Sequence, residues 1–186
     1  MKKMMFNDKY GLTKAVLEGR KTMTRRIMIP QPSWVSGDGH IYNDSEPLRF
    51  KVGEVVAVAQ KYEDIYHGLS DREASWFLDT LHLRYDDKCA LDLPAWRNKE
   101  FVLADLMPHQ IRITDVRVER LQDISDEDCL REGIRKMTFD TFSFDSWKFF
   151  VHNPREAFAA LINKISGKGT WKRNPWVFVY EFELLK

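Results

Sequence analysis

Cysteine is scarce in this sequence of 186 residues: only Cys89 and Cys129 occur. Neither lies in a CxxC or Cys/His spacing, so no structural zinc is expected, and the thiols are expected to be reduced, as in a cytoplasm. Long hydrophobic runs are missing too. No stretch reaches the length of a membrane span. The opening "MKKMMFNDKY" has two lysines with no apolar run behind them, which does not read as a signal peptide. Nor is either charge in excess: 29 Lys and Arg against 28 Asp and Glu leave a formal +1. A chain basic throughout is thereby excluded, and any nucleic-acid contact must come from a local patch. Repeats and low-complexity tracts are absent. So are the P-loop, GxGxxG, HExxH, GxSxG and metal-spaced histidine signatures, so neither a metal nor a cofactor is expected. These absences predict a soluble cytoplasmic protein with no membrane partner.

What is present suffices for a core. With 44% hydrophobic residues, the chain fits one domain over 1–186, with a loop insertion at about 30–49 and a larger insertion at about 63–100. A first helix is expected from an N-cap at Asn7 or Asp8 to about Glu18, with Gly19 as its stop. "PQPSWVSGDGHIYNDSEPLR" reads as a long loop. A β-branched strand follows from about Glu54 to Lys61. The insertion holds one helix pattern, around Asp71–Leu83. In "IRITDVRVERL", Ile111 and Ile113 share one parity while Val116 and Val118 share the other. The change of phase at Thr114–Asp115 predicts a β-bulge.

Ser125 is a good N-cap for a short helix, with Asp128 at the capping-box position and Gly133 at its end. Asn153-Pro154 opens a third helix, whose Phe158, Leu161, Ile162 and Ile165 share a face, and Gly167 stops it. The closing "WVFVYEFELL" is apolar on both faces in its first half, which predicts a central strand. The order of these elements is that of an α+β fold, a small mixed sheet or barrel with helices packed outside.

Three places could carry chemistry. In "LEGRKTMTRR", Arg20, Lys21, Arg25 and Arg26 crowd Thr22 and Thr24 just past a helix end, where cations also complement the helix dipole. A lysine near apolar groups or other cations can have a lowered pKa and act as a base for a threonine hydroxyl. Glu132 stands at a helix C-terminus, a poor place for a carboxylate unless it is paired or has a function. In "GKGTWKRNPW", Lys168, Trp171, Lys172 and Arg173 lie together without an acid. They suit base stacking and phosphate contact, or equally a solvated turn. His40, His67, His82, His109 and His152 are scattered. His109, after Met107-Pro108 at the mouth of a strand, is the one that merits attention.

Together, "LEGRKTMTRR", "FKVGEVVAV", "VERLQDISDEDCLREGI" and "NPWVFVYEFELL" resemble the ASCH domain, in particular its longer bacterial and phage members. The resemblance covers roughly 7–29, 50–61, 101–134 and 154–185. It implies a PUA-like small mixed β-barrel with flanking helices and a role with RNA or a modified nucleoside or nucleotide. In the small ASCH amidohydrolases, which deacetylate N4-acetylcytidine, the active residues are a lysine and a threonine of the "GRKTxT" motif and a distant glutamate. By that resemblance the catalytic candidates here are Lys21, Thr24 and Glu132. The candidates for nucleic-acid or phosphate binding are Arg20, Arg25, Arg26, Trp171, Lys172 and Arg173.

Three functions follow as expectations. The first is a pocket-bearing binder of RNA or a modified nucleoside. The second is an amidohydrolase acting on an N4-acylated cytidine-like nucleoside, with Lys21 as base, Thr24 as nucleophile or water-positioning group, and Glu132 moving a proton to the leaving nitrogen. The third is a non-catalytic interaction module anchored by Trp76, Phe77 and Trp96 of the insertion. The geometric expectation for the first two is that Lys21 and Thr24 face Glu132 across a cleft.

Overall fold

The computed structural model describes residues 1–36, 41–42, 48–144 and 150–185. Residues 37–40, which include His40, and 43–47 of the expected loop lie outside the described residues. In chain order the elements are β1 (Lys2–Met4), α1 (Leu12–Leu17), β2 (Met23–Ile27), β3 (Trp34–Val35), β4 (Ile41–Tyr42), β5 (Val55–Val58), α2 (Tyr62–Tyr66) and α3 (Asp71–Arg84). They continue with α4 (Pro94–Arg97), β6 (Gln110–Arg120), α5 (Asp126–Arg131), β7 (Arg135–Lys136), β8 (Phe142–Ser143), α6 (Pro154–Ile165), α7 (Thr170–Arg173) and β9 (Trp176–Leu185).

Five strands form one mixed sheet in the order β1-β5-β6-β9-β2. The α+β class is therefore observed, and β9 is interior, as its two apolar faces require. The sheet is open and not the closed barrel that was expected: its edges are β1 and β2, which do not pair with each other. β1 was not foreseen. It has three residues, too few for a period, and pairs in parallel with β5, Lys3 opposite Ala57.

By its contacts the chain divides into two compact units, residues 1–6 with 55–110, and 7–54 with 111–185. In the first, the stretch expected as an insertion at about 63–100 packs with residues on either side of it into one core, Tyr62, Phe77, Leu81, Trp96 and Met107 being buried together. α3 lies where the helix pattern was expected and is capped by Ser70, whose backbone N–H donates to the Glu73 carboxylate at 3.0 Å. α2 and α4 have five and four residues, less than the span over which a helical period can be read. Of the three proposed aromatic anchors, Phe77 and Trp96 belong to this core and only Trp76 is exposed. Packing, not partner contact, accounts for the first two.

In the second unit, β2 runs antiparallel to β9 with Thr24 opposite Tyr180 and Arg25 opposite Val179. α1 begins later than expected. Asn7 and Asp8 instead build a turn into it, the Leu12 N–H donating to the Asn7 carbonyl and the Thr13 hydroxyl to the Asp8 carboxylate. Gly11 has φ 66° at the helix start, and Gly19 stops the helix at φ 71°. β6 is one continuous strand, with Thr114 and Asp115 both exposed where the phase changes. α5 follows its sequence closely, the Ser125 hydroxyl accepting from the Asp128 N–H at 3.1 Å. α6 buries Phe158, Leu161 and Ile162, but Ile165, expected on that face, is 38% exposed in the last turn.

Gly133 closes α5 at φ 105°, and a Cβ there would stand 3.2 Å from Leu12 Cδ2. Gly133→Ala is expected to cost about 1–3 kcal/mol from backbone strain and this contact. Urea unfolding of the variant beside the parent chain measures it, and equal midpoints would refute it.

Candidate functional site

Lys21 lies between α1 and β2, and its side chain is only 1% exposed. Its Nζ donates to the Glu132 Oε2 at 2.6 Å, to the Glu132 carbonyl at 2.8 Å and to the Met23 carbonyl at 2.7 Å. Glu132 is the C-cap of α5 and is itself buried. The carboxylate that was out of place at a helix end is thus paired. Burial pushes the Lys21 ammonium below the ordinary lysine value, against the opposing pull of the Glu132 charge and hydrogen bond.

Strand geometry sorts the neighbours. Successive β2 side chains alternate between faces, so Met23 and Arg25 share one face while Thr24 and Arg26 take the other. Arg25 is wholly engaged on its face. Its Nε donates to Glu119 at 2.8 Å and its Nη2 to Asp128 at 2.7 Å, and its Nη1 donates to the second Glu132 oxygen at 3.3 Å. Burial works against the Arg25 charge, but Glu132, then Asp128 and Glu119, outweigh it and leave its pKa raised. Asp128, read as a helix-capping residue, also receives Arg117 and Arg131. Both of those arginines reach Glu181, Arg131 at 2.6 Å. The result is a continuous ion network of Lys21, Arg25, Arg117 and Arg131 with Glu119, Asp128, Glu132 and Glu181.

On the opposite face, Thr24 is buried. No described residue hydrogen-bonds its hydroxyl. Arg26 lies half-buried opposite Phe178. Burial lowers its pKa, and the charge of Glu132 opposes that shift. The structure therefore brings Lys21 and Glu132 into direct contact, without an intervening cleft, and adds Arg25 to the pair. It places Thr24 on the side of β2 away from Arg25.

The remaining candidates are dispersed. Arg20 pairs with Glu18 at 2.6 Å. Trp171 is half-buried, edge-on to Phe158, while Lys172 and Arg173 are exposed on α7, a short helix where a turn was expected. His109 belongs to the first unit, where its Nδ1 is 2.8 Å from Gln60 Oε1. Cys129 is buried and its thiol is pushed up to about 12 by that burial, whereas Cys89 is exposed.

Sequence reasoning missed Glu119, Asp128, Arg117, Arg131 and Glu181 as parts of this centre. One signal was available: adjacent Thr24 and Arg25 in a strand must point to opposite faces. Among the described residues, no cluster of His, Cys, Asp and Glu is arranged to hold a metal ion, and no helix is long and apolar enough to cross a membrane. Comparison with protein-family models, with curated proteins and with solved structures finds no match.

The network makes a prediction about acid stability. Hydrogen bonding from Arg131, then from Arg117, holds the Glu181 carboxyl below its ordinary value of 4.5, with partial burial opposing. The folded pKa is thus lower than the unfolded one, so the unfolded chain binds more protons as pH falls. The stabilisation is complete above about 4.5 and is lost as pH drops through that value toward the folded pKa. Glu181→Gln is expected to flatten the stability profile in that window. An acid limb of unchanged slope, followed by urea unfolding at stepped pH, would show that Glu181 is not a source of it.

Proposed function

We propose that this chain is an ASCH-type protein that takes a modified nucleoside, free or within RNA, at the centre formed by Lys21 and Glu132. The buried Lys21–Glu132 pair carries the reading. Removing two charges from water costs several kcal/mol per ion even after relaxation, and apolar packing of equal volume often stabilises a fold as well or better. Burial-shifted ionisable groups held by a specific partner are therefore candidates for function and not merely for stability.

The type of ligand follows from which donors are already committed. Arg25 was expected to bind phosphate, but its guanidinium is taken up by Glu119, Asp128 and Glu132. The centre thus has charge without a free arginine fork on the Arg25 face, and a fork is what phosphate recognition uses. A neutral base edge, read by hydrogen bonds, suits it better than a phosphate chain. That reading also agrees with the near-zero net charge. Its affinity should vary little with salt, because no counterions are released.

A second reading, hydrolysis of the exocyclic amide of an N4-acylated cytidine, is favoured by the 2.6 Å contact between Lys21 and Glu132. A lysine with lowered pKa, hydrogen-bonded to a carboxyl group, forms a proton-transfer pair. The Thr24 hydroxyl, with no described hydrogen-bond partner, is left for a substrate or a water.

Titration calorimetry with cytidine and N4-acetylcytidine, together with chromatography of the reaction mixture, tests both readings. Binding of the acylated nucleoside is expected, and Lys21→Ala should weaken it, because the Glu132 carboxylate loses the partner that fixes it. If turnover accompanies binding, that variant should lower the rate by about 10²–10⁴-fold. No binding by a panel of acylated and unmodified nucleosides would overturn the proposal. Binding without turnover would remove the second reading alone.

A further inference from the structure

The cations of the second unit are divided unevenly. Those around β2 and α5 are neutralised by carboxylates, as described above. Those around α7 are not: no described carboxylate forms an ion pair with Arg120, Arg155, Lys168, Lys172 or Arg173. Main-chain and side-chain hydrogen bonds hold three of the five in place instead. Arg120 Nη1 donates to the Asn174 carbonyl at 3.2 Å, Arg155 Nη2 to the Gln122 carbonyl at 2.6 Å and Arg173 Nη2 to the Thr170 hydroxyl at 2.9 Å. Gln122 fastens the group together, its N–H donating to the Asn174 side chain and its Nε2 to the Trp171 carbonyl. The acids close in sequence are Glu119, whose carboxylate is taken up by Arg25 and Arg117, Asp123, whose carboxylate accepts the Arg120 backbone N–H, and Glu156 on α6.

One contact gives this surface more than charge. The Arg120 guanidinium lies 4.3 Å from the centroid of the Trp176 ring, and Arg120 is exposed while Trp176 is half-buried. A guanidinium fixed against an indole on one side keeps its other planar face for a second π-system. Nucleic-acid bases stack on such planes, and unpaired cations beside them meet the phosphates. Trp171, edge-on to Phe158, is less suited to stacking than Arg120.

We propose that the surface formed by Arg120 on Trp176, with Arg155, Lys168, Lys172 and Arg173, binds single-stranded nucleic acid. A base stacks on the outer face of Arg120, and the phosphates run along α7. This site shares no residue with the Lys21 centre and does not depend on the nucleoside reading.

Fluorescence anisotropy with labelled oligouridylate and oligothymidylate of about 12 nucleotides, from about 50 to about 200 mM salt, tests it. The logarithm of affinity should fall linearly with that of salt. Lys172→Glu/Arg173→Glu should weaken binding and lower the slope by about 1.4, roughly 0.7 for each lost contact on a single strand. Arg120→Lys keeps the charge but not the plane, so it should weaken binding roughly 5- to 150-fold at nearly the same slope. Saturating N4-acetylcytidine should not displace these unmodified strands, which separates this site from the nucleoside centre. Equal affinity for the two strands would indicate reading of the shared backbone and base planes. Tighter RNA binding would add a 2′-hydroxyl contact. Absence of binding at the lowest salt, or a slope unaltered by the double charge reversal, would overturn the proposal. Unchanged affinity in Arg120→Lys would refute the stack.

Discussion

The second unit depends on one buried ion pair. The Lys21 ammonium, out of reach of water, is satisfied by a carboxylate oxygen and a backbone carbonyl of Glu132 and by the Met23 carbonyl. These contacts join the segment between α1 and β2 to the end of α5, 111 residues later in the chain. Gly133 is part of the same joint. Its positive φ turns the chain away directly after Glu132, and a Cβ there would also come within 3.7 Å of Lys21 Cδ. Helix end, glycine and lysine therefore constrain one another: a longer α5 or a bulkier residue 133 would displace the partner that makes Lys21 tolerable inside the protein.

Beyond this pair, opposite charges are distributed by strand parity. Arg25 carries the network on from Glu132 to Asp128 and Glu119, and Arg117 and Arg131 carry it to Glu181. Exposure increases along that path, from buried Arg25 to partly exposed Arg117, and the worth of each contact falls as solvent screening grows. The network draws arginines away from any external anion. Arg120, Arg155 and Arg173 have no such carboxylates among the described residues and are held by carbonyls and a hydroxyl. A nearly neutral chain thus keeps, on this surface, cations that no described carboxylate neutralises.

Local signals in the sequence were legible where one residue type meets one geometric need. Ser125 as N-cap, Gly19 and Gly133 at positive φ, and the doubly apolar Trp176–Tyr180 stretch as interior strand each follow from such a need. The closed barrel was not: β1 is too short to show a period, and the sheet ends at two edges. The helices at 62–66 and 94–97 were lost for the same reason, and with them the separate core around Tyr62, Phe77 and Trp96. At the candidate site, Lys21 and Glu132 stood out by chemical type. The carboxylates that occupy Arg25 come from β6 and α5, and only tertiary register brings them to it. Asp128 shows the limit well, because its capping role was readable from local sequence and its salt bridges were not.

The central claim is that Lys21 and Glu132 act as one unit. A double-mutant cycle with Lys21→Met and Glu132→Gln, each followed by urea unfolding, tests it most directly. Each single change leaves a buried polar partner without its counterpart and should cost about 3–5 kcal/mol. The double variant should be less destabilised than the sum by about 0.5–3 kcal/mol or more, the range of coupling for residues in direct contact. Costs that add to within about 0.3–0.5 kcal/mol, the behaviour of independent sites, would contradict the account.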